Sequence, residues 1–150
     1  MQDRYVVIVA KFNELITRSL LEGALSAFHE QGVPQEQIDV IWVPGAFEIP
    51  VVAANAARSH RYAAVVTLGA VIRGETPHFD HVAGPTASSL MGIAVETGIP
   101  VIFGILTTDT VEQAMNRAGL KLGNKGTESA HAALKMSTIM KQIDGRSKNL

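Results

Sequence analysis

The stretch AAVVTLGAVIRGETPHFD, residues 63–80, decides the fold. Its segment 63–72 is almost entirely apolar, which is typical of a strand buried on both faces. The sequence then changes within a few residues into a polar loop that contains Gly74, Pro77 and His78. Open α/β sheets bind their ligands just beyond the carboxyl ends of their strands. We therefore expect residues 69–80 to carry the chemistry.

Three more segments have the same buried-strand pattern: Tyr5–Ala10, Ile38–Val43 and Val101–Leu106. A helical pattern follows each of the four strands, and a last amphipathic helix ends the chain. These helices are expected from Asn13 to Gly32, from Pro50 to about Arg58, from about Asp80 to Gly98, from a capping box at Thr110 to Gly119, and after Gly126. Such alternation predicts an α/β protein with a four-stranded parallel sheet in a three-layer α/β/α sandwich of the flavodoxin-like type.

Length and composition favour a single globular domain, residues 1–150, with a polar and loose tail from about residue 144. Hydrophobic residues make up 47% of the chain and charged residues 18%, which argues against disorder. A net charge of −1 gives no reason to expect nucleic acid or an anionic membrane as partner. With no cysteine, no disulfide or thiolate nucleophile is available, and a cytoplasmic location is expected.

Proton transfer at the functional loop is assigned to His78, because the pKa of imidazole lies nearest neutrality. By position alone, a surface histidine in a turn is an equally good interpretation. His78, Asp80 and His81 resemble a metal cluster, but no third imidazole or cysteine has suitable spacing. We therefore expect no metal.

Other loops should meet this one at the carboxyl edge of the sheet. Phe12 and Phe47 could sandwich a planar heterocycle, although core packing is the commoner role of an aromatic ring. Glu48 stands at a helix start, where it could bind a ligand or simply cap the helix.

An anion site is also plausible near residues 74–76, where Gly74, Glu75 and Thr76 can present backbone amides to a phosphate. The possible cationic partners are Arg73, Arg117, Lys121 and Lys125. Arg117 and Lys125 belong to the last two helices, so a neighbouring subunit could supply them. Exposed cations at helix ends are, however, usually only solvated.

Several other chemistries lack their motifs. The sequence has no phosphate loop of the Gly-x-x-x-x-Gly-Lys-Ser/Thr type, no Gly-x-Ser-x-Gly nucleophile elbow, and no Gly-x-Gly-x-x-Gly after the first strand. A receiver-type signalling domain would need acidic residues after the first strand and an Asp at the end of the third. The chain has Phe12-Asn13 and Gly69-Ala70 at those places.

Five blocks together resemble the 6,7-dimethyl-8-ribityllumazine synthase family in order and spacing. The blocks are Phe12-Asn13, residues 43–50 (VPGAFEIP), residues 69–80, Phe103-Gly104 with residues 106–108, and residues 117–119 with 123–126. The resemblance runs from about Tyr5 to Ile143. It implies a cofactor-free transferase of riboflavin biosynthesis that joins 5-amino-6-(D-ribitylamino)uracil to 3,4-dihydroxy-2-butanone 4-phosphate.

The same resemblance implies roles for individual residues. The proton-transfer residue would be His78. The positions implied for the pyrimidine and its ribityl chain are Phe12, Ala46, Phe47, Glu48, Ala70, Val71, Ile72 and Phe103. The positions implied for the phosphorylated ketone are Glu75, Thr76, Arg117 and Lys125. Phe103 and Arg117 would come from a neighbouring copy of the chain.

The resemblance further implies a homo-oligomer with active sites at subunit interfaces. Pentamers are the family's basic unit, and some members combine twelve of them into a hollow icosahedral shell. Relatives with weak turnover still bind such rings, so a non-catalytic flavin or lumazine carrier is the alternative function.

Overall fold

The computed structural model describes residues 3–74 and 78–145. The strands are β1 (Tyr5–Ala10), β2 (Ile38–Val43), β3 (Ala64–Ile72) and β4 (Val101–Thr108). The helices are α1 (Glu14–Glu30), α2 (Ile49–Arg58), α3 (His78–Thr97), α4 (Val111–Asn116) and α5 (Lys125–Ile143). A 3-10 turn, Ala46–Glu48, precedes α2.

All pairings in the sheet are parallel, and the strand order is β2-β1-β3-β4. Two apolar clusters cover its faces. One joins the sheet to α1, α4 and α5, and the other joins it to α2 and α3. The predicted three-layer α/β/α sandwich of the flavodoxin-like type is therefore confirmed. Because every strand runs the same way, the carboxyl ends meet at one edge, where the predicted functional loops lie.

β1 and β2 begin and end where predicted, but β2 is not buried on both faces. Val40 and Ile41 are 37% and 36% exposed, because β2 is an edge strand. β4 is two residues longer than expected and includes Thr107 and Thr108. Its last residue pairs in register with Ile72 at the end of β3, which extends the ladder to the functional edge.

The helix ends show which capping predictions are right. Thr110 opens α4 with both bonds of the capping box, to and from Gln113. Asn13 precedes α1 as expected but makes no side-chain cap bond. Pro50 lies in the first turn of α2, as predicted. Pro85 lies in the interior of α3 and has no amide hydrogen, so the His81 carbonyl lacks its usual helical donor.

α1 and α5 pack closely because Gly23 and Gly126 stand at their contact, where a Cβ would meet Asn124 or the Leu20 backbone. The Asn124 side chain accepts hydrogen bonds from the amides of Gly126 and Thr127 at 2.8 and 3.1 Å. Its amide nitrogen donates to the Ser19 carbonyl of α1 at 3.1 Å. Asn124 thus caps α5 and ties it to α1. This cap explains why α5 begins at Lys125 and not after Gly126.

A polar cluster closes the amino edge of the sheet. The Tyr62 hydroxyl donates to one carboxylate oxygen of Asp39 at 2.5 Å, and the Arg4 guanidinium donates to the other at 2.9 Å. The hydrogen bond from Tyr62, assisted by Arg4, lowers the pKa of Asp39. Burial and the same carboxylate raise the pKa of Tyr62. The charged form of Asp39 is therefore bound more tightly in the folded chain than in the unfolded chain.

We expect Asp39→Asn to lower the melting temperature at pH 7 by about 2–4 °C, equivalent to about 1 kcal/mol for a domain of this size. The pKa of Asp39 in the folded chain lies below its unfolded value, so this stabilisation is present above about pH 4 and is lost as the pH falls through the folded pKa. Thermal melts of both proteins at pH 7 and pH 3 measure the effect.

Glu22→Gln is the matched control. Glu22 is an exposed α1 carboxylate that forms no ion pair in the part of the chain that the structure describes. Glu22→Gln should leave the melting temperatures at pH 7 and pH 3 unchanged. A deficit of Asp39→Asn that is as large at pH 3 as at pH 7 would contradict the linkage.

Candidate functional site

A cleft of about 650 Å³ opens at the carboxyl edge of the sheet. It lies beyond β1, β2 and β3 and beside the start of α3. The lining residues are Phe12, Pro44, Gly45, Ala46, Phe47, Glu48, Ala70, Val71, Ile72, Gly74, Phe79 and Val82. Most of them are apolar, and Glu48 is the one ionisable side chain among these described residues. A pocket of this size and polarity fits one small, largely planar ligand.

Phe12 is held at the cleft mouth by its neighbours in the β1–α1 loop. Its amide donates to the Pro44 carbonyl at 3.0 Å, which joins this loop to the β2–α2 loop. Asn13 adopts the left-handed conformation, with φ of 61°, and its side-chain amide donates to the Ala70 carbonyl at 2.9 Å. Asn13 therefore ties the loop that carries Phe12 to the end of β3.

Two of the three aromatic rings that line the cleft, those of Phe12 and Phe47, are not core residues. Phe12 is 71% exposed and Phe47 is 68% exposed, although both are large apolar side chains. Exposing two rings on one cleft costs solvation free energy unless a ligand or a partner covers them. Their placement favours stacking on a planar group over the alternative of core packing.

Glu48 is half-buried beside Gly45 at the start of α2. It makes no side-chain cap bond to α2, so the capping interpretation is not supported. A Cβ at position 45 would lie 3.2 Å from a Glu48 carboxylate oxygen. Glycine at this position leaves the carboxylate room to accept hydrogen bonds from a ligand's N–H or O–H groups.

A second cavity of about 380 Å³ lies beside the cleft and contains the predicted cation Arg117. Its lining residues are Arg73, Phe79, Thr107, Thr108, Asp109, Gln113, Asn116, Arg117 and Leu122. Phe79 lines both cavities, so its ring forms part of the wall between them. The Arg117 side chain is exposed here at the end of α4, on the far side of that wall from the cleft.

The cleft of a single chain gathers most, but not all, of the predicted pyrimidine positions. Seven of the eight line the cleft, and the exception is Phe103. Phe103 pairs with Thr67 inside the sheet and packs against the apolar cluster on the α2–α3 face. Lys125 is half-buried at the first position of α5 and lines neither cavity. Glu75, Thr76 and the His78 side chain lie outside the described residues.

Phe79, Val82 and Asn13 have no individual role in the prediction from sequence, although Phe79 lies in the predicted stretch 69–80 and Asn13 in the predicted Phe12-Asn13 block. Phe79 and Val82 line the cleft from the first turn of α3. They are three residues apart and therefore lie on the same face of the helix. Phe79 and Val82 follow His78 by one and four residues, and this spacing was the sequence signal that could have identified them. The tether formed by Asn13 had no comparable signal, because it depends on the neighbouring strand.

Another cavity, of about 570 Å³, lies at the opposite, amino edge of the sheet. Several of its charged side chains are already paired: Arg4 with Asp39, which lies outside the cavity lining, and Lys141 with Asp3. This pairing makes it a poorer ligand site than the cleft. Within residues 3–74 and 78–145, no group of three or more His, Cys, Asp or Glu side chains is arranged to hold a metal ion.

Across the same described residues, no helix is both long and apolar enough to span a membrane.

The family model for 6,7-dimethyl-8-ribityllumazine synthase matches residues 2–141. The match includes every strand, every loop at the carboxyl edge, and most of α5. It also includes both cavities described at that edge. The chain belongs to the 6,7-dimethyl-8-ribityllumazine synthase family.

Proposed function

We propose that the protein is an active lumazine synthase, a transferase that condenses 5-amino-6-(D-ribitylamino)uracil with 3,4-dihydroxy-2-butanone 4-phosphate. The products are 6,7-dimethyl-8-ribityllumazine, phosphate and water. The observation that carries this proposal is the cleft, which gathers seven of the eight pyrimidine positions in a chain of this family. We further propose that the protein works in the cytoplasm and binds neither nucleic acid nor membrane.

In this proposal the cleft binds the pyrimidine. The ring stacks between the exposed phenyl groups of Phe12 and Phe47, an arrangement worth about 0.5–1.5 kcal/mol per aromatic pair beyond area burial. Glu48 accepts a hydrogen bond from the substrate. Ala70, Val71 and Ile72 line the wall along the ribityl chain, where small and apolar side chains leave room.

The reaction needs positioning and proton transfer. The substrate amine attacks the ketone carbonyl, and loss of water forms a Schiff base. Loss of the phosphate and of the neighbouring C–H proton then leaves an enol, which tautomerises to a second ketone. The ribitylamino nitrogen attacks that carbonyl and closes the ring with loss of a second water. Holding the two reactants in contact removes much of the entropic barrier, so acid–base help is a smaller part of the catalysis. His78 is proposed to move the protons.

The phosphate of the second substrate requires cations and backbone donors. Glu75 and Thr76 are proposed to present the loop backbone to it, with Arg117 and Lys125 as the cations. Arg117 of the same chain lies beyond the Phe79 wall, and Lys125 lines neither cavity. This placement supports a site completed by Arg117, Lys125 and Phe103 of a neighbouring chain.

A homo-oligomer follows from that arrangement, with the pentamer as its proposed unit and a shell of twelve pentamers as a further level. Large apolar side chains on α2 and α3 support it: Val51 is 62% exposed, Met91 68% and Val95 82%. Such residues mark a surface that a partner covers. Sedimentation should give a mass at least fivefold that of the 16.0 kDa chain, and a monomer would contradict this proposal.

We expect His78→Ala to lower kcat by about a hundredfold or less, at the low end of the about 10²–10⁴-fold that acid–base help contributes, because the substrates are intrinsically reactive and positioning is most of the catalysis. The KM values should change little. Steady-state lumazine formation at saturating substrates is the measurement. Complete loss of turnover with both substrates still bound would contradict the division between positioning and proton transfer.

The alternative is a non-catalytic flavin or lumazine carrier on the same fold. The two functions separate when both substrates are mixed in large excess over the protein and lumazine fluorescence is followed. An enzyme produces many equivalents of lumazine and phosphate per chain, at a rate proportional to protein concentration and above the spontaneous reaction. A carrier leaves the spontaneous rate unchanged and binds at most one lumazine per site.

A further inference from the structure

We propose that Arg73 is a positioning residue of this site: its guanidinium fixes the first turn of α3, and with it the Phe79 wall and the backbone of residue 78. The inference rests on the proposed function for its kinetic consequence, but its geometric part can be tested separately. The family resemblance gives Arg73 no role, and the sequence marks it only as one of several possible cations.

Arg73 contacts three parts of the functional edge. Its backbone amide donates to the Thr108 carbonyl at 2.8 Å, which continues the β3–β4 ladder. Its side-chain Nε donates to a carboxylate oxygen of Asp109 at 3.0 Å. The guanidinium carbon lies 4.5 Å from the centre of the Phe79 ring, and a terminal nitrogen lies 3.9 Å from the Asp80 carboxylate. One side chain thus joins the β4–α4 turn to the start of α3.

The Asp109 end of this link is rigid. The Asp109 amide donates to the side chain of Gln113 at 2.8 Å, and Gln113 is also the second member of the Thr110 capping box. The Thr108 hydroxyl donates to the Thr110 carbonyl at 2.9 Å. Because this turn is fixed by several bonds, the carboxylate is a stable anchor for the guanidinium.

Arg73 is better suited to positioning than to binding phosphate. Two carboxylates already face its guanidinium, from Asp109 and Asp80, and they offset its charge. Its guanidinium lies over the Phe79 ring, an arrangement that lysine reproduces poorly. Arg117, in the same cavity, has no ion pair in the part of the chain that the structure describes.

This contact network matters for catalysis rather than for stability. The Arg73 and Asp109 side chains are 52% and 69% exposed, and exposed ion pairs contribute little to folding. Phe79, which the Arg73 side chain holds in place, nevertheless separates the two cavities. Small displacements of a group that aligns two reactants have large kinetic effects.

The kinetic test compares Arg73→Met with Arg58→Met. Arg58 forms an equally exposed ion pair with Glu96, at 3.2 Å and with side chains 55% and 65% exposed, far from the site. We expect Arg73→Met to lower kcat about tenfold with both KM values within about threefold of wild type, and Arg73→Lys to give an intermediate kcat. Arg58→Met should match wild type. An unchanged kcat, or a change confined to KM, would overturn the proposal.

A second readout does not depend on activity. Trp42 is the one tryptophan of the chain, so Trp42→Phe combined with Phe79→Trp places a single fluorophore at the wall. Adding Arg73→Met should increase the amplitude of local motion in its anisotropy decay, whereas adding Arg58→Met should not. If the wild-type chain makes no lumazine, the proposed function fails while this comparison still decides the geometry. Equal local motion with and without Arg73 would overturn the positioning role.

Discussion

Gly126→Ala is expected to lower the melting temperature by about 10 °C, because the added methyl group has no space between α1 and α5. A Cβ at position 126 would lie well inside van der Waals contact with the Leu20 carbonyl oxygen, and 2.6 Å from the carbonyl carbon. These are backbone atoms in the middle of α1, so no flexible side chain can move aside. α5 must shift away from α1, which also disturbs the bonds of Asn124.

Gly92→Ala provides the matched control for this helix glycine. Gly92 is exposed in the middle of α3, and an added Cβ there meets no atom within 4 Å. Alanine should stabilise the helix by about 0.5–1 kcal/mol, because glycine loses more backbone entropy on folding. Circular dichroism melts of the two variants measure both effects. A melting temperature of Gly126→Ala equal to that of wild type would mean that α1 and α5 do not pack as described.

Arg117→Ala is expected to raise the KM for the phosphorylated ketone by about tenfold to a hundredfold, because a charge-assisted hydrogen bond to phosphate is worth about 1.5–3 kcal/mol. The KM for the pyrimidine should change by less than about threefold, since Arg117 does not line the cleft that is proposed to hold this substrate. Initial rates with one substrate varied and the other saturating give both values.

Lys121→Ala is the control, since Lys121 is another exposed cation of the same connection between α4 and α5. It lines neither cavity, and both of its KM values should match wild type. Equal increases in the two KM values of Arg117→Ala would reject Arg117 as the phosphate ligand.

The strands were predictable because burial leaves a direct mark on their composition. β1 and β3 lie in the middle of the sheet and are apolar except for the buried Thr67, as their runs of Val, Ile and Leu indicated. β2 has a similar composition but lies at an edge, and strand order cannot be deduced from an apolar run. The extension of β4 through Thr107 and Thr108 was missed for a related reason, since its last pairs depend on where β3 ends.

The cleft was predictable where its residues follow a strand directly. Phe12, Phe47 and Ala70 lie at the carboxyl ends of three parallel strands, so topology alone brings them to one edge. The contacts between loops were not predictable, because they join residues far apart in sequence. The bond from Asn13 to the Ala70 carbonyl and the stacking of Arg73 on Phe79 are both of this kind.

Phe103 and Arg117 are two predicted site residues that a single chain does not bring to the cleft. Neither residue reaches the cleft within its own chain: Phe103 is part of the sheet, and Arg117 lies in the adjacent cavity. A site that needs both is therefore proposed to form between chains. This proposal distinguishes the protein from a binding domain that is complete as a monomer.

Mixed oligomers test that proposal most directly. Arg117→Ala lacks the donated cation, and Phe12→Ala lacks a wall of the cleft; chains of the two variants are co-expressed with different tags and assembled together. At substrate concentrations well below the wild-type KM values, each variant alone should be slow. If each site pairs the cleft of one chain with Arg117 of the next, about one quarter of the sites in a random 1:1 mixture are intact, and the rate should reach about one quarter of wild type. A rate no higher than the mean of the two variants would show that Phe12 and Arg117 act within one chain.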